Sequence, residues 1–75
     1  MYDARISNLD GRVGATIGQL SSMSEDNRQS WLDRTEAEID ALRFEIEHNQ
    51  NVELASRGEL IERLEAIRNK ALRVV

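Results

Sequence analysis

Two stripes at heptad spacing run through the last two-thirds of the chain. The first is Leu32, Thr35, Ile39, Leu42 and Ile46; the second is Leu60, Leu64, Ile67, Ala71 and Val74. Steps of three and four residues bring each set to one side of an α-helix. A seam this regular needs a helix against it, from the same chain or from a second copy. A further set, Ile6, Leu9, Val13, Ile17 and Leu20, marks an amphipathic segment near the N-terminus. The pattern predicts an all-α protein: a coiled-coil-like helical hairpin plus an N-terminal amphipathic helix, self-associating into a helical bundle.

Boundary signals divide residues 1–75, a single small helical domain, into four parts. Residues 1–22 form the N-terminal helix or arm. They hold Gly11, Gly14 and Gly18, each costing about 1 kcal/mol relative to Ala inside a helix. Gly11, Ala15 and Gly18 share a side that another backbone can approach closely. Helix 2 covers 23–48. Ser22 with Glu25 has capping-box spacing, and Ser24 with Asp26 offers a competing start. Asn49, Gln50 and Asn51 open a turn over 49–56. Ser56 with Glu59 makes a second box ahead of helix 3, residues 57–74, where Arg68, Lys70 and Arg73 suit the negative end of the dipole. A single rod is the alternative, since steps of seven from Ile39 reach Ile46, Glu53, Leu60 and Ile67. The companion position decays to Asn49, Ser56 and Arg63, and the third segment turns to Leu64 and Ala71 instead. That rotation of the seam favours the hairpin.

Length sharpens the need for assembly. A 75-residue chain buries only about 60% of its unfolded surface. Without Cys it has no disulfide and no thiolate metal site, so association of copies is the remaining common support. The absence of Pro permits unbroken helices, and three aromatics, Tyr2, Trp31 and Phe44, are few for a β-sheet protein. Ala37, Ala41 and Phe44 give helix 2 a second apolar side, and Trp31 flanks the seam. A helix apolar on two sides packs on two sides. The N-terminal helix or a second chain is therefore expected over Phe44. Trp31, Phe44 and the glycine-bearing arm are the candidate contacts for a foreign partner.

Charge narrows the partners. The net charge is −4 with 32% charged residues, which opposes binding through phosphate contacts and attraction to an anionic membrane. Arg57, Arg63, Arg68, Lys70 and Arg73 are interleaved with Glu59, Glu62 and Glu65, so direct nucleic-acid binding is not expected. No run approaches 18 apolar residues, and MYDARISNLD lacks the basic and apolar regions of a signal peptide; the reading is cytoplasmic. Residues 24–48 hold eight acids and three bases, and residues 57–75 hold five bases and three acids. Antiparallel packing sets these opposite signs along the seam. Asp33, Glu36, Asp40 and Glu47 give helix 2 an acidic side. In size and charge alone this resembles small acidic inhibitors of phages, some anti-CRISPR proteins among them, and the resemblance implies an inhibitor that fills a basic groove made for phosphates.

Catalytic chemistry finds little support. Glu45 and His48 have the Glu-x-x-His spacing of di-iron bundles, but Leu42 and Ile46 define the inward side, leaving Glu45 at its edge and His48 further out. His48 is the only His, no G-x-S-x-G elbow is present, and Gly11, Gly14 and Gly18 do not follow the phosphate-loop spacing. The expectation is a non-enzyme without metal or cofactor. It is a small helical protein-binding protein, an adaptor, regulator or inhibitor, acting as a homodimer or higher homo-oligomer. Leu32, Ile39, Leu42, Ile46, Leu60, Leu64 and Ile67 carry self-association; Trp31, Phe44, Asp33, Glu36 and Asp40 carry partner binding. The alternatives are the acidic inhibitor and a purely structural coiled-coil oligomer.

Overall fold

A computed structural model describes residues 2–73; Val74, the last member of the second stripe, lies outside the described residues. The helices are α1 (Tyr2–Ile17), α2 (Glu25–His48) and α3 (Leu54–Arg73), with one 3-10 turn, Leu20–Ser22, between the first two. Among the described residues there is no strand. The 24 residues of α2 span about 36 Å at 1.5 Å each. The molecule measures 41 × 17 × 16 Å, so the helices lie side by side. Ion pairs fix their directions. Arg5 meets Glu45 and Arg12 meets Glu38, which makes α1 antiparallel to α2. Arg63 meets Asp3 and Lys70 meets Asp10, which makes α3 parallel to α1. The backbones of α1 and α2 each approach α3 more closely than they approach one another.

One core joins all three helices. Ile39, Ile46 and Leu64 are completely buried, and Ile6, Leu9 and Val13 nearly so. Each such side chain contributes about 1.5–3 kcal/mol of transfer free energy. The residues assigned to self-association, Leu32, Ile39, Leu42, Ile46, Leu60, Leu64 and Ile67, are all buried within one copy. The seam needs no second chain to cover it. Of the helix and the arm expected over residues 1–22, the helix forms, and its Ile6, Leu9, Val13 ridge fills the third side of the seam. It can do so because the glycines of α1 point away from the core. Gly11 has no atom within 4 Å of where a Cβ would sit, and Gly14 has only the Lys70 Nζ at 3.9 Å.

Of the two starts open to α2 the later is taken, and α3 starts earlier than expected. Ser24, not Ser22, caps α2, its Oγ accepting from the Asn27 N–H at 3.2 Å; Ser22 is held in the preceding 3-10 turn. The start of α3 at Leu54 precedes the expected Ser56–Glu59 box, and the turn shortens accordingly. The turn organises itself. Asn49 Oδ1 accepts from the Asn51 N–H, and the Arg57 guanidinium donates to the carbonyls of Asn49 and Val52. The Arg57 N–H already reaches the Glu53 carbonyl at 2.8 Å. Asn49 Nδ2 also donates to the Tyr2 hydroxyl at 3.0 Å, tying the turn to the first residue of α1.

Candidate protein-interaction face

The two flanks of α2 are built from the same kind of residue with opposite results. Toward α1, Arg5 donates both guanidinium nitrogens to Glu45 at 2.9 and 3.1 Å, and Arg12 donates to Glu38 at 2.6 Å. Arg5 also lies over the Tyr2 ring, 5.5 Å from its centre. The Arg5 hydrogen bond holds the Glu45 carboxyl below its ordinary range, and Glu45 in turn raises the Arg5 guanidinium. The wider α1–α2 separation leaves two open grooves, of about 370 and 460 Å³. Trp31 lines the larger, half-buried and packed on the core beside Thr35.

Toward α3, two arginines are shared among more carboxylates. Arg43 donates to Glu65 at 2.9 Å and to Glu47 at 2.8 Å, and Glu47 is the main cause of its raised pKa. Arg68 donates to Asp40 and lies 3.7 Å from Glu65. Beyond these pairs the face opens to solvent. Phe44 is 62% exposed. Its ring stacks on His48, centroids 4.1 Å apart, while His48 Nδ1 sits 2.9 Å from the Phe44 carbonyl oxygen. Ala37, two turns earlier, is also exposed. On α3 the stripe that contains Glu65 and Arg68 also contains Leu54, Ile61 and Leu72, at steps of three, four and seven. Leu72 is 46% and Leu54 80% exposed. Ile61 is half-buried against the core.

The predicted contact residues therefore separate. Of the two covers expected for Phe44, the N-terminal helix is ruled out: α1 is held on the other flank of α2 by Glu38 and Glu45. Trp31 sits in the α1–α2 groove, away from Phe44. Of the acidic set, Asp40 is engaged by Arg68 and Glu47 by Arg43; Asp33 accepts from Gln29 at 3.1 Å. Glu36 is half-buried. The Glu45–His48 pair is divided, one side chain serving Arg5 and the other the Phe44 carbonyl. Sequence reasoning missed Leu54 and Leu72 as surface residues. The available signal was that each lies seven or fourteen residues from Ile61, Glu65 or Arg68, with Leu72 one place off the buried Ala71 register and Leu54 one place off that of Leu60 and Ile67. No family model matches the chain, and no curated protein or solved structure is significantly similar to it. Among the described residues no cluster of three or more His, Asp or Glu is arranged to hold a metal ion, and no helix is long and apolar enough to cross a membrane.

Proposed function

We propose that the protein is a helical binding module that docks another protein against its α2–α3 face, with Phe44 as the anchor. The observation that carries this is the exposure of the only Phe in the chain on the outward side of α2, two turns from the exposed Ala37, while every large side chain of the heptad seam is already covered. Burying an aromatic ring of this kind supplies a large apolar area at low entropy cost, and such rings dominate interface energetics. An adaptor, a regulator and an inhibitor are the roles open to such a module. Acidic mimicry is the weaker reading, because Asp40 and Glu47 are spent on arginines of the same fold.

Photo-crosslinking tests the proposal. With p-benzoylphenylalanine at position 44 the protein should capture a defined protein in its native cell. The same group at position 11, outward on α1, should not. Equal capture from both positions, or none from 44, would contradict it.

A further inference from the structure

What docks is legible in the charge of the same face. Asp26, Asp33 and Asp40 stand at successive steps of seven on α2; Asp40 reaches Arg68 of α3, and Asp33 and Asp26 continue the stripe along α2 past the level of Arg73. Glu36 and Glu47 lie four before and seven after Asp40, and Glu65 joins from α3 through Arg43. Against these six carboxylates stand two guanidiniums, Arg43 and Arg68. The face thus holds an excess of four negative charges, equal to the whole net charge of the chain. The other seams are balanced. Arg5 and Arg12 answer Glu45 and Glu38 between α1 and α2; Arg63 and Lys70 answer Asp3 and Asp10 between α1 and α3. Among the described residues, surplus charge and exposed apolar side chains coincide on this side of α2.

Resting on the docking reading above, we infer that this face takes a basic amphipathic helix of another protein. The outward side of α2 presents a surface along which another helix lies, and such a helix is read by anchors at i, i+3 or i+4, and i+7. Ala37 and Phe44, about 10.5 Å apart along α2, match that repeat. The partner's apolar ridge rests on Ala37 and Phe44. Its Lys or Arg side chains run beside Asp26, Asp33 and Glu36. A second copy is the poorer occupant, since a two-fold dimer sets the same acidic patch against itself and like charges juxtaposed across an interface are costly.

An unbiased selection decides it. A random 16-residue peptide library displayed on phage is selected on the immobilised full chain, with the Phe44→Ser chain, its helicity checked by circular dichroism, selected in parallel. Expected are peptides of net positive charge with apolar residues at i, i+3 or i+4, and i+7, enriched only on the native chain. Asp26→Asn with Asp33→Asn should then weaken the selected peptides about tenfold at low salt and flatten their salt dependence. Neutral or acidic peptides that still require Phe44 would overturn the basic partner and leave the docking face standing. Enrichment indifferent to Phe44, or none at all, would overturn both. A stable dimer dissolved by Phe44→Ser would give the face to a second copy and overturn the inference.

Discussion

Helix α2 has two flanks, and the contrast between them is the most informative feature of the molecule. On the α1 flank each carboxylate meets a guanidinium of the other helix, and the half-buried Trp31 lines the groove beside them, packed on the core. On the α3 flank two arginines divide themselves among several acids, and the aromatic residue, Phe44, is left outside. Both flanks stand on the same buried row, Leu32, Thr35, Ile39, Leu42 and Ile46. The balanced flank completes the fold. The unbalanced one retains charge and apolar surface that the fold does not use.

The largest test attacks the shared row. Ile39 is completely buried, so Ile39→Asp should cost several kcal/mol and collapse both flanks together, read as loss of helicity and a rise in hydrodynamic radius. Retained helicity would mean that the two flanks do not rest on one core. Next comes α1, the helix that makes the difference between them. Gly11→Ala fills open space in the middle of a helix and should stabilise the protein by about 1 kcal/mol. A raised urea midpoint with unchanged peptide binding is expected; altered binding would couple the flanks.

Acid separates the flanks by chemistry. Glu45 has its carboxyl depressed below the ordinary 4.5, chiefly by the Arg5 hydrogen bond. A depressed acid contributes stability that is complete above its unfolded pKa and is lost as pH falls through the folded one. Urea midpoints should therefore decline below about pH 4.5, and Glu45→Gln should flatten that decline. An unchanged profile would remove the pair from the account. Arg43 has the opposite sign: its raised pKa confines any loss to strongly alkaline solution. The smallest stability effect is expected at Phe44. As an exposed position, Phe44→Ser should shift the unfolding free energy by no more than about 0.5 kcal/mol, in a thermal melt. A loss of several kcal/mol would make the ring part of the fold and not of its surface.

The helices were legible because their apolar steps are regular. Ile39, Leu42 and Ile46 announce a buried row whatever packs on it, and the three amides from Asn49 mark the reversal of the chain. What covers the row was not legible. The three glycines of the first segment argue for a weak arm, yet they lie on the outward side, where their cost in helix propensity leaves the Ile6, Leu9, Val13 contact intact. That Phe44 would stay uncovered was equally hidden, because Ala37, Ala41 and Phe44 are compatible with either flank until Glu45 and Glu38 draw α1 to one of them. The α3 start was misplaced for a similar reason: Ser56 and Glu59 have cap spacing, but Arg57 binds two turn carbonyls and the helix forms earlier.

Phe44 is the only Phe in the chain, so 4-fluorophenylalanine labels it alone. Its ¹⁹F signal, followed over a hundredfold range of concentration with a soluble paramagnetic agent and with diffusion recorded on the same sample, asks both questions at once. The account predicts an open ring, strongly relaxed by the agent, on a folded particle that diffuses as one 8.6 kDa chain. A shielded ring on a particle of twice that mass would show that the helices close their surface between copies, and would contradict it.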